Sequence, residues 1–128
     1  MPAMTALASA RLVRDQDDYF DNWTVQVRKG LLEVCILNAL AQREFYGYDL
    51  VKSLTRMLGW SITEGTIYPL LSRLRVQKLV STRLEESSEG PARKYYALTA
   101  KGRATARLMN DYLAVLLDNN DRSTPAGA

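Results

Sequence analysis

Apolar positions divide the chain into four helical stretches and one extended pair. Across residues 28–43, "RKGLLEVCILNALAQR", the residues Leu31, Leu32, Val34, Cys35, Ile36, Leu37, Ala39 and Leu40 leave few polar sides. A helix that is apolar nearly all round is a central one. The pattern breaks at Gly47 and resumes with Leu50, Val51, Leu54, Met57 and Leu58, a spacing that predicts a second helix over 48–58. Gly59 is its stop, and Trp60 to Ile62 reads as a short extended piece. A third helix opens with Thr63 as N-cap and Glu64 in the first turn, where an acid is favoured. Ile67, Leu70, Leu71 and Leu74 gather on one side of it. Gly65, Pro69, Ser72 and Val76 take the opposite side, flanked by Tyr68, Thr66 and Arg73.

The period then changes. Leu79 to Leu84 reads as a strand, "EESSEGPA" as a polar turn with Gly90-Pro91 as its signal, and Arg93 to Leu98 as a second strand. That is a β-hairpin with a long tip. Thr99 caps a last helix from Ala100 to Asp118, with Leu108, Tyr112 and Val115 on one stripe and Met109, Leu113 and Leu116 extending it. Residues 119–128 form a polar, flexible tail. Residues 1–27 are either a loose tail or a docking segment; Tyr19, Phe20 and Trp23 speak for docking, on the body or on a second subunit.

The order of elements is helix, helix, short strand, helix, hairpin, helix. It predicts a mainly α fold with a small β-hairpin: a winged helix-turn-helix over 28–98, followed by a C-terminal dimerisation helix over 99–118. The bare outer side of the third helix then has a reason. A helix entering the DNA major groove, about 12 Å wide, cannot carry bulky apolar groups on that side.

Composition narrows the chemistry. The 128 residues suit one domain. There is no histidine and one cysteine, so no Ser-His-Asp or Cys-His site can form, and one soft ligand is too few for structural zinc. No catalytic constellation, metal site or cofactor motif emerges, so the chain is read as a non-enzyme with no cofactor. Cys35 has two readings, a small buried core residue or a redox or metal sensor. No apolar run reaches the roughly 20 residues a membrane span needs, and no signal-peptide core opens the chain. The expected location is cytoplasmic, without a membrane partner.

Charge is uneven along the chain. Residues 61–107 carry nine Lys/Arg against four Asp/Glu, while residues 1–60 balance at seven of each. A basic middle suggests a polyanion partner, and an ordinary solvated surface is the competing reading.

Three motifs carry a resemblance: "YGYDLVKSL" (Tyr46 to Leu54), "TEGTIYPLLSRLRVQKLV" (Thr63 to Val80) and "GPARKYYALTAKG" (Gly90 to Gly102). In order and spacing the chain resembles the PadR family of bacterial transcriptional regulators from about Leu31 to Leu117. The resemblance implies a homodimeric winged helix-turn-helix repressor, relieved by a small-molecule effector, whose C-terminal helix supplies much of the dimer interface. The brief final helix resembles the shorter subgroup. It places Thr66, Tyr68 and Pro69 on the recognition helix and Arg93, Lys94 and Tyr95 at the base of the wing.

Together these readings give Thr63, Thr66, Tyr68, Pro69, Ser72, Arg73, Arg93, Lys94 and Tyr95 as the expected contacts to a palindromic double-stranded operator. Arg73 is either a DNA contact or the partner of a wing glutamate. Arg93 and Lys94 alternate across a strand, so one of them faces DNA at a time; of Tyr95 and Tyr96, one is core. Leu108, Met109, Tyr112, Leu113, Val115 and Leu116 are the expected dimer seam, with two-fold symmetry matching the operator. The competing function is a winged-helix protein-interaction module without specific DNA binding.

Overall fold

The computed structural model of the chain describes residues 18–123. What was expected of residues 1–17 and 124–128 lies outside them. The described residues divide into two compact units between Leu32 and Glu33.

Helix α1 covers Asp18–Gln42, so it starts ten residues before the apolar run that announces it. The stretch 18–27 lacks a continuous apolar side, but Asp18 and Asp21 occupy the first turn, where carboxylates offset the positive end of the helix dipole. Within residues 18–32, the Phe20 and Trp23 rings lie 5.9 Å apart and the Thr24 hydroxyl donates to the Asp21 carbonyl at 2.7 Å.

In the second unit, the remainder of α1 is followed by strand β1 (Phe45–Tyr46), helix α2 (Gly47–Leu58), helix α3 (Glu64–Val76), strands β2 (Val80–Ser87) and β3 (Gly90–Leu98), and helix α4 (Ala100–Ser123). The fold is mainly helical with a small antiparallel sheet in the order β1-β3-β2. Ile36 and Leu37 of α1, Leu50 and Leu54 of α2, Ile67, Leu71 and Leu74 of α3, and Val80 of β2 form the fully buried core. Each comes from the apolar stripe of its element, which is why burial holds the helices at fixed faces.

Four further boundaries differ from the sequence reading. The extended piece at Trp60 to Ile62 is coil, not strand. The strand that completes the sheet is Phe45–Tyr46, which pairs Phe45 with Tyr96 and Tyr46 with Tyr95. A two-residue strand has no alternation to detect; its buried Phe45 is what binds it to the sheet. The hairpin is longer and its tip shorter than expected, with only Ser88 and Glu89 outside the strands. Glu85 faces Arg93 and Ser87 faces Gly90, with a register shift between Glu85 and Ser87. Pro91, which has no N–H to give a ladder, sits against that irregularity, so the turn signal of Gly90-Pro91 falls inside a bulged strand. Finally, α4 runs to Ser123, five residues beyond Asp118.

Two junctions fix α4 on the winged domain. At the end of α3, Lys78 takes a left-handed conformation with φ 63°; its N–H bonds Arg75 O at 2.9 Å and the Leu79 N–H bonds Leu74 O at 3.0 Å, the two bonds of a Schellman cap. The start of α4 closes over this cap. Thr99 Oγ1 accepts from the Gly102 N–H at 2.9 Å, as expected of its N-cap, and donates to Lys78 O at 2.7 Å. Further along, the Asn38 and Asn110 amides bond each other reciprocally at 3.0 and 2.8 Å, fixing α4 against α1.

Candidate nucleic-acid interface

Helix α3 presents the expected outer line. Gly65, Pro69 and Ser72 are exposed, and Val76 continues the line with 76% of its surface open. Pro69 lies inside the helix and has no N–H for the Gly65 carbonyl. Thr63 occupies the N-cap position without a side-chain cap bond; its hydroxyl instead shares a 3.1 Å hydrogen bond with that of Thr66.

Tyr68 is half-buried beside the outer line. A Cβ at Gly47 would stand 2.9 Å from Tyr68 Cε1, 3.0 Å from its hydroxyl and 3.3 Å from Tyr96 Cε2. The ring therefore rests on the start of α2, where only glycine leaves room. Burial, then the charge of Glu64, pushes the Tyr68 phenol above its ordinary value, so it stays a proton donor. Arg73 pairs with Glu33 of α1, not with a wing glutamate, and points to the flank of α3. That pair is exposed and energetically weak, so it steers Arg73 more than it stabilises the fold.

The wing divides its cations between two faces. Tyr96 is the core tyrosine and pairs with Thr82; Lys94 and Leu84 continue that face outward, both exposed. On the other face, Arg93 stacks 5.1 Å over Tyr46, whose ring is 6.0 Å from that of Tyr95. Arg83 covers Tyr95 at 4.7 Å and binds Glu44 through two nitrogens, with Glu85 at 3.4 Å. The hydrogen bond from Arg83 holds the Glu44 carboxyl below its usual range. Tyr95 is thus shielded by Arg83 and belongs to a stacked support for the wing base. Lys94, by contrast, makes no ion pair among the described residues.

Several groups near α3 escaped the sequence reading. Tyr48 and Lys52, one turn apart on α2, are exposed, with the ammonium 5.3 Å over the ring. Their spacing after Gly47 was the available signal. Arg75 is exposed on the flank of α3 nearest Tyr96, and its charge opposes the upward push that burial gives the Tyr96 phenol. Lys101 donates to Gln77 O at 3.0 Å at the carboxyl end of α3.

Of the expected seam on α4, Leu108, Tyr112, Val115 and Leu116 are exposed and lie on one stripe, while Met109 and Leu113 are half-buried. Cys35 is half-buried, and burial pushes its thiol upward. Among the described residues no group of His, Cys, Asp and Glu could hold a metal ion, and no helix is long and apolar enough to cross a membrane.

A three-helix unit whose third helix has a lean exposed side, followed by a basic two-stranded wing, defines a winged-helix DNA-binding protein. The model of the transcriptional regulator PadR-like family matches residues 36–108, more than half of the chain, and the chain belongs to that family of transcriptional regulators. The PadR family transcriptional regulator from Eggerthella lenta is 32% identical, with a TM-score of 0.76 over 85% of this chain and 95% of its own. The transcriptional regulator Rv3488 of Mycobacterium tuberculosis is 32% identical over 79 residues, 62% of this chain and 72% of that one. The transcriptional regulator YqjI of Escherichia coli is 35% identical over 75 residues, 57% of this chain but only 34% of that protein.

Proposed function

We propose that the chain is a homodimeric, cytoplasmic repressor that binds a palindromic operator near its promoter and is released by a small-molecule effector. The observation that carries this reading is the exposed line Gly65, Pro69, Ser72 and Val76 on α3, free of bulky side chains and opposite the buried Ile67, Leu71 and Leu74. Ser72 and the Thr63–Thr66 hydroxyl pair supply hydrogen bonds at the groove, and the Tyr68 hydroxyl donates to a phosphate at its edge. Lys94 on the inner wing face and Arg93 on the outer one supply phosphate contacts from either side, while Tyr95 and Tyr46 hold Arg93 extended. Arg73 reaches a phosphate by exchanging its exposed partner Glu33.

The dimer reading is supported by the unpartnered stripe of Leu108, Tyr112, Val115 and Leu116 on α4, with the half-buried Met109 and Leu113 beneath it. Two copies joined there present two α3 helices, as a palindrome requires.

The test is a mobility-shift titration on the chain's own upstream DNA against unrelated DNA. The reading predicts a preferred complex that weakens steeply with salt, since each phosphate contact releases counterions. Equal, weak binding to both duplexes would instead support a protein-interaction module.

A further inference from the structure

The outer line of α3 has an unusual chemistry for a helix that reads bases. Gly65, Pro69, Ser72 and Val76 recur at i, i+4, i+7 and i+11, along one edge at about 100° per residue. Guanine is read in the major groove by Arg or Lys, and adenine by Asn or Gln. No Asn, Gln or Lys occurs in α3, Glu64–Val76. Its two arginines lie on opposite flanks of the outer line at about 100° per residue, and Arg73 is held by Glu33. The Thr63 and Thr66 hydroxyls bond each other, which leaves one donor between them for the groove, and both lie off this line. Ser72 is the one hydrogen-bonding side chain on the line, and the remainder is the Pro69 ring and the Val76 methyls. Val76 is 76% exposed, so the core does not account for it. At Gly65, the one atom near an added Cβ is Thr63 Oγ1 at 3.8 Å, so the missing side chain spares a neighbouring surface rather than the protein itself.

The only apolar feature of a base edge in the major groove is the thymine methyl. We propose that Pro69 and Val76 read thymine C5-methyl groups, making T·A pairs at those positions the main sequence determinant of the operator. Gly65 allows the backbone close enough for these short side chains to reach. This inference rests on the DNA-binding reading and names the base feature that the same face recognises.

The experiment begins with selection of duplexes from a random-sequence library by the full chain. The selected duplex is then titrated beside versions with deoxyuridine at each thymine in turn, which deletes one methyl and keeps every hydrogen bond. One or two thymines per half-site are expected at which the deletion weakens binding by about fourfold. Val76→Ala should weaken the intact duplex by a similar factor, with unchanged thermal unfolding, and show no further loss at its uracil position. Uracil that is neutral at every thymine overturns the proposal while leaving DNA binding in place. A full uracil penalty retained by both Val76→Ala and Pro69→Ala also overturns it. Failure to enrich any duplex removes the DNA-binding reading and this inference with it.

Discussion

Replacing Gly102 with alanine sets two rules of helix energetics against each other. By propensity alone, alanine inside a helix is favoured over glycine by about 1 kcal/mol. Gly102, however, is where α4 crosses the end of α3. A Cβ there would lie 2.0 Å from Leu79 O, 2.9 Å from the Leu79 carbonyl carbon and 2.7 Å from Leu98 Cδ1. Carbon-to-oxygen contacts open to about 3.3 Å or more, so α4 must withdraw by over ~1 Å from a backbone atom that cannot rotate away. Withdrawal stretches three bonds: Thr99 N–H to Leu79 O at 3.1 Å, Thr99 Oγ1 to Lys78 O at 2.7 Å, and Lys101 Nζ to Gln77 O at 3.0 Å. At about 1 kcal/mol each, their loss outweighs the propensity gain and leaves a net destabilisation of roughly 2 kcal/mol before any loosening of the core is counted. The assay is urea unfolding followed by circular dichroism, with both proteins at equal concentration because association would shift the midpoint. A slope of about 1–3 kcal/mol/M converts this to a midpoint lowered by roughly 0.7–2 M. A midpoint that stays or rises would refute the claim that backbone contact, not propensity, decides this position.

Lys78 is the converse case: it is the one non-glycine residue with positive φ among those described, so Lys78→Gly should add about 1 kcal/mol of stability and raise the urea midpoint accordingly. A lowered midpoint would mean the lysine side chain contributes more than its backbone costs. Leu108→Asp with Val115→Asp, both exposed in the protomer, should give a folded monomer in sedimentation; an unchanged profile would rule out the α4 seam. Leu113 is a poorer site for that test, because it is half-buried and its loss would disturb the protomer as well. Burial, then the charge of Glu64, raises the Tyr68 phenol above the ordinary tyrosine range, so operator affinity should show no titration from it between about pH 7 and 8.5. Tyr68→Phe should weaken binding several-fold by removing a donor; equal affinity would take the hydroxyl out of the interface. Cys35, its thiol raised by burial, should react with a disulfide reagent at pH 8 more slowly than a free cysteine, and equal rates would favour a sensing role.

The face of α3 was legible because one residue in every turn or so had to be apolar for the helix to pack. Ile67, Leu71 and Leu74 are buried, and what lies opposite is the exposed line. The same periodicity located α2 and the buried part of α1. Features without a period were not legible. Strand β1 is two residues long, and its pairing with β3 spans some fifty positions of sequence. The wing has solvent on both faces near its tip, so neither strand alternates there, and the polar run from Glu85 to Ala92 looks like a loop although all of it but Ser88 and Glu89 lies in the strands. The destination of a long side chain was also hidden. Arg73 pairs with Glu33, forty residues away, and Arg93 lies on Tyr46 of the neighbouring strand β1, remote in sequence but adjacent in the sheet. At α1 the carboxylates Asp18 and Asp21 marked the true start, but no apolar stripe called attention to them.

The proposed DNA recognition rests most on the outer line of α3, and one substitution tests that directly. Ser72 is exposed at the middle of the line, so Ser72→Glu adds a carboxylate there without entering the core. In fluorescence anisotropy with a selected duplex, we expect the variant to lose at least about a hundredfold in affinity, the scale of a buried like-charge contact, while its sedimentation and thermal unfolding match the unaltered chain. Unchanged affinity at that position would contradict the account.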